Sequence, residues 1–252
     1  MVLFGDSTLL HGVDPTQMSA ALGVKVITLP NVAATLRVLD DLTLRQYLKT
    51  NRPPRLIVFY FAAWDLDYGH STYPIGTYDA RELLAHQGTM AEIFAYMRAH
   101  PAQSMQFPFQ FYFINARTSH FFQRPYPEIG EEVLRTRGHM TNPKLTMLDS
   151  DCAFPDVLVN DTRDASARDL GARYHTPETK TLYFLAPVPN CRNVALVANR
   201  SFDDLPAAPP KVLPAEMFSP DAVVLHPLGP SVPQVTRNLI DAVRPVLAET
   251  RP

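Results

Sequence analysis

Leu56 to Phe61 reads LIVFYF, a continuous apolar run with no polar alternation. A strand wet on one face alternates apolar and polar side chains. A short unbroken run instead calls for a strand covered on both faces, and such strands belong to parallel sheets flanked by helices. Three other segments fit the same sheet: Met1 to Phe4 (MVLF), Val24 to Leu29 (VKVITL) and Leu182 to Ala186 (LYFLA). Between the first two, Asp14-Pro15 marks a helix start with proline at the first helical position; Thr16 to Leu22 carries the helix and Gly23 ends it. Leu36 to Lys49 places Leu36, Leu39, Leu42, Leu44 and Leu48 near helical spacing, and Asn51-Arg52-Pro53-Pro54 stops it. Three strand–helix units, each ending in a polar loop on the same edge, predict an α/β protein with a doubly wound parallel sheet.

The remainder of the chain is less regular. Tyr78 to His100 contains a helix. Phe107 to Phe122 is rich in phenylalanine and reads as a further buried strand and loop, as a lid over an apolar pocket, or as a patch facing lipid or a protein partner. Arg124 to Thr176 has weak periodicity, with short helices expected at Glu128–Thr136 and Ala165–Leu170. Ser219 to Pro227 reads as a loop. Val232 to Ala248 reads as a closing amphipathic helix with Val235, Leu239, Ile240, Val243 and Leu247 on one face. The 24 prolines, about twice the usual share, lie mostly in the second half. The expected organisation is one α/β domain over residues 1–252 with a loop-rich insertion at about 101–180.

Charge and composition exclude several classes. A net charge of −2 without any basic stripe argues against nucleic acid. No apolar run is long enough to span a membrane. No export signal is visible, which leaves either a cytoplasmic protein or the soluble part of a longer chain. Cys152 and Cys191 lack zinc-ligand spacing; a disulfide and two free thiols both remain open. No cofactor or metal is expected. Asp65, Asp67 and His70 are compactly spaced but read as loop residues that cap helices or face water.

Chemistry points to Gly5-Asp6-Ser7. Gly5 is expected to let the backbone turn sharply, and Ser7 then sits at the lip of the sheet, where open α/β sheets place ligands. Asp and Ser are also common helix-cap residues, so the tripeptide alone is more often a strand-to-helix turn than an active site. A nucleophilic serine needs a base. Of the eight histidines, His226 follows Asp221 and precedes the final helix, a position that returns it to the edge bearing Ser7.

Gly5-Asp6-Ser7 near the start and an Asp…His-Pro before the last helix resemble the SGNH, or GDSL, hydrolases. Thr28 to Thr35 lies where that family carries its second block, and Ala62-Ala63-Trp64-Asp65 where it carries the third. The run through Gly12-Val13-Asp14-Pro15 looks most like the branch linked to acyl modification of cell-surface polysaccharides. The resemblance covers residues 1–67 and about 181–248. It implies a flavodoxin-like three-layer sandwich with a central parallel sheet, Ser7 as nucleophile, His226 as base, and Asp221 as the acid that orients it. The family's acid lies three residues before its histidine. That position is Val223 here, which leaves Asp203 and Asp204 as substitutes for Asp221. The implied oxyanion and substrate-binding residues are the Ser7 N–H, Ala33 at the glycine position, Trp64 at the asparagine position, and Asn31, Asp6 and Asp65 beside them. The implied activity is a serine esterase removing O-acyl groups, acetyl foremost, from a carbohydrate or another small ester. A polysaccharide acyltransferase and an inactive binding protein of the same fold are the alternatives. Work on an exported polysaccharide implies the periplasm.

Overall fold

The computed structural model describes residues 1–30, 42–62, 89–99, 101, 127–141, 146–154, 166–195, 207–219 and 226–249. Along the chain run β1 (Val2–Gly5), α1 (Ser7–Gly12), α2 (Pro15–Leu22), β2 (Ile27–Pro30), α3 (Leu42–Thr50) and β3 (Leu56–Phe61). There follow α4 (Met90–Ala99), α5 (Pro127–Arg135), α6 (Ser166–Tyr174) and β4 (Lys180–Leu185). Short strands β5 (Val188–Pro189), β6 (Val212–Leu213), β7 (Phe218–Ser219) and β8 (His226–Pro227) lead into α7 (Val232–Glu249).

The central sheet has the order β2-β1-β3-β4, and every pairing is parallel. Val2 lies opposite Ile27 on one side and Ile57 on the other. All six residues of β3 are buried, as LIVFYF demands. Alternate side chains serve opposite faces. Leu3, Val58 and Tyr60 pack with Leu9, Met18 and the apolar stripe of α7. Phe4, Ile57 and Phe59 pack with Leu44 of α3 and Leu170 of α6. Helices thus cover both faces, an arrangement compatible with a three-layer sandwich.

The helix ends follow their sequence signals. Asp14 caps α2 by accepting the N–H groups of Thr16 (2.8 Å) and Gln17 (3.2 Å), Pro15 opens the helix, and Gly23 closes it in the left-handed region at φ 66°. The Asp14 N–H donates to the Thr236 hydroxyl at 3.0 Å, tying the start of α2 to α7. On α7, Val235, Leu239, Ile240, Val243 and Leu247 are all buried. Truncating one of them, for instance Leu239→Ala, costs about 2–5 kcal/mol through lost burial and the cavity left behind.

Two segments differ from expectation. The second strand begins at Ile27 rather than Val24, because β1 offers its first ladder partner at Val2, opposite Ile27. The segment read as a loop, Ser219 to Pro227, contributes to an antiparallel pair in which Phe218 faces Pro227 and Ser219 faces His226. Near this pair lies a satellite core of Ala62, Phe154, Val188, Cys191 and Phe218. Cys152 and Cys191 are joined there by a disulfide, the outcome that composition left open. The aromatic segment 107–122 lies outside the described residues. None of the described helices is long and apolar enough to cross a membrane.

Candidate functional site

Gly5 ends β1 and is required for a reason other than a turn. A Cβ at this position would stand 1.9 Å from the Tyr60 carbonyl oxygen, so the close approach of β1 to β3 excludes any side chain. This corrects the expectation that Gly5 supplies backbone freedom. Asp6 follows in extended conformation as the N-cap of α1. Its carboxylate is fully buried. One oxygen accepts the Thr8 N–H at 2.8 Å and the Thr8 hydroxyl; the other accepts the Ala62 N–H at 2.6 Å, just beyond β3. A buried charge is tolerated when its lone pairs are filled in this way. The result fixes the first turn of α1 to the end of the neighbouring strand and sets Ser7, half-buried, at the first helical position.

His226 arrives from the other end of the chain. It sits on β8 opposite Ser219, whose hydroxyl donates to the His226 carbonyl at 3.3 Å. Behind it, the Leu228 N–H and the Ser231 hydroxyl both donate to the Met217 carbonyl at 2.9 Å, clamping the approach to α7. The His226 Nε2 lies 2.9 Å from the Ser7 Oγ, across a sequence separation of 219. With the serine hydroxyl donating to Nε2, the ring proton resides on Nδ1, the nitrogen that an orienting acid would hold. Asp221, the acid expected there, lies outside the described residues. So do Asn31, Ala33, Trp64 and Asp65, and with them Asp67, His70, Asp203 and Asp204.

Three further polar side chains lie on or beside α1. His11, one turn beyond Ser7 on α1, packs its ring against that of His226 with centroids 4.7 Å apart and an interplanar angle of 68°. Its Nδ1 lies 3.1 Å from the Met140 carbonyl and so carries the donated proton. From sequence His11 has no assigned role; its spacing of four from Ser7 is the signal that places both on one helix face. His139 is buried with its Nδ1 unpartnered. Burial lowers its pKa below the ordinary histidine value, opposed by the carboxylates of Asp14 and Glu132 and the carbonyls of Leu10 and Val13. The Tyr60 hydroxyl is likewise buried and unpartnered. Burial first, and the Asp6 charge second, hold it well above the usual phenol range, so it stays neutral. Among the described residues no group of three acidic, histidine or cysteine side chains is arranged to hold a metal.

Comparison of the chain with protein-family models, with curated proteins and with solved structures finds no match. A serine hydroxyl within hydrogen-bond reach of an imidazole nitrogen, at the carboxyl edge of a parallel sheet, is arranged for nucleophilic attack with proton transfer.

Proposed function

We propose that this protein is a serine esterase of the SGNH type that removes O-acyl groups, acetyl foremost, from a carbohydrate. The observation that carries the reading is the 2.9 Å contact between Ser7 Oγ and His226 Nε2. The strand order β2-β1-β3-β4 supports it, since the flavodoxin-like arrangement of the SGNH fold begins in the same way. Ser7 attacks the ester carbonyl while His226 takes its proton. The oxyanion is met by the Ser7 N–H at the start of α1, with Ala33, Asn31 and Trp64 as the further donors of the reading. His226 then gives the proton to the departing sugar hydroxyl. Water, deprotonated by the same imidazole, releases the acyl group. In this scheme Asp221 holds Nδ1 and stabilises the imidazolium. The Cys152–Cys191 disulfide supports an oxidising compartment, where surface polysaccharides are modified.

The test is labelling of the purified protein with a fluorophosphonate probe, alongside release of p-nitrophenol from p-nitrophenyl acetate. Native protein should label and hydrolyse, and both Ser7→Ala and His226→Ala should lose both signals. A folded native protein that neither labels nor hydrolyses would overturn the proposal.

A further inference from the structure

We infer that His11 is a positioning residue that holds the His226 imidazole in line with Ser7; the inference rests on the esterase reading above. His11 and Ser7 stand four residues apart on α1 and so share a face. The His11 ring meets that of His226 in an edge-to-face arrangement at 4.7 Å, a favoured geometry for two aromatic rings. Such a contact orients its neighbour through the ring itself, and hydrogen bonds hold the ring of His11 more firmly in place. Its Nδ1–H donates to the Met140 carbonyl at 3.1 Å, while the Met140 N–H donates to the Leu10 carbonyl at 3.0 Å. Two adjacent residues of α1 thus exchange hydrogen bonds with one residue of a distant segment.

That segment is anchored in turn. The carboxyl end of α5 closes with Gly138 N–H on the Val133 carbonyl (2.8 Å) and Arg137 N–H on the Leu134 carbonyl (3.3 Å), the paired bonds of a Schellman cap. The Arg137 carbonyl accepts the Thr28 N–H at 3.0 Å, which fastens the segment to β2. The Thr136 hydroxyl accepts the His139 N–H at 3.1 Å. From β2 through residues 136–140 to His11, each link is a hydrogen bond with backbone on at least one side. The ring of His11 therefore forms a fixed wall beside His226. The imidazole that must take and return a proton at one point, the Ser7 Oγ, loses the freedom to swing away from it.

The test uses the full chain and compares His11→Ala, His11→Phe and His11→Asn in p-nitrophenyl acetate hydrolysis and in the rate of fluorophosphonate labelling. Phe keeps the ring without the Met140 bond; Asn keeps a donor for Met140 without the ring. Misaligning a reacting group can lower turnover by about 100-fold. His11→Ala and His11→Asn should therefore lose about 10- to 100-fold in kcat and in labelling rate, with KM within about threefold and Tm within about 4 °C of native. His11→Phe should stay within about fivefold of native kcat. The inference is overturned if His11→Ala turns over and labels at the native rate, if Phe is as impaired as Ala, if Asn alone retains activity, or if only KM moves. Failure of the parent reading looks different: native protein itself would not label, and the inference would fall with it.

Discussion

The buried carboxylate of Asp6 accepts the backbone N–H of Ala62 at 2.6 Å, joining the residue before Ser7 to the residue after the central strand. The same carboxylate holds Thr8. Removing it leaves buried donors at both places without a partner. Asp6→Ala should therefore lower unfolding free energy by about 3 kcal/mol, each orphaned buried donor costing about 1–3 kcal/mol. Urea denaturation would measure it; a midpoint equal to native would show that the carboxylate is not a structural tie.

Gly5 and Gly23 should respond to alanine for different reasons. At Gly5 the added methyl would stand 1.9 Å from a backbone oxygen that cannot move without parting β1 from β3. Gly5→Ala should cost more than about 3 kcal/mol or prevent folding, as overpacking against backbone does. At Gly23 there is open space, and only the positive φ of 66° is unfavourable. Gly23→Ala should cost about 1 kcal/mol. Thermal melts of the two variants side by side should show that gap; equal losses would refute the close-approach explanation for Gly5.

The disulfide spans a sequence separation of 39. Closing a loop of that length stabilises by about 4 kcal/mol in the chain-entropy treatment. Replacing both cysteines with serine, or adding reductant, should move the urea midpoint down together and by the same amount. Retention of the native midpoint under full reduction would count against the bond. The loss should also reach His226, because the Leu148 N–H donates to the Phe218 carbonyl at 2.8 Å and so binds the disulfide-bearing segment to β7.

His139 makes stability depend on pH below neutrality. Burial lowers its folded pKa below the unfolded value of about 6.5. Under mildly acidic conditions the unfolded chain therefore binds a proton that the folded chain rejects. This contribution is fully present above about pH 6.5 and is lost as pH falls through the folded pKa. His139→Gln should flatten the dependence of the urea midpoint on pH between about 5 and 7 relative to native. An identical slope in the two proteins would exclude His139 as its source.

Sequence exposes the parts of this fold that obey a local rule. LIVFYF needs no partner to declare itself a doubly covered strand, and the caps of α2 at Asp14-Pro15 and Gly23 are written in adjacent residues. The stripe of α7 is a matter of spacing alone. What escapes is set by contacts between distant segments. β7 and β8 are two residues each, too short to show any period. Gly5 looks like a turn glycine because the Tyr60 carbonyl that excludes a side chain lies 55 residues on. His11 is held through Met140, at a separation of 129. Ser7 and His226 were placed on one edge by topology, and the structure brings them together at 2.9 Å.

The separation of 219 between Ser7 and His226 also has a consequence in time. A ribosome adding about 5–20 residues per second needs roughly 10–45 s to pass from one to the other. Throughout that interval the strand that leads into Ser7 has been made, but His226 has not. α7, which covers Leu9, Val13 and Met18, emerges later still. A nascent chain therefore carries an exposed apolar face, and a Ser7 without its histidine, until α7 has been made. The pairing of Ser7 with His226 is completed in the same event that buries this face.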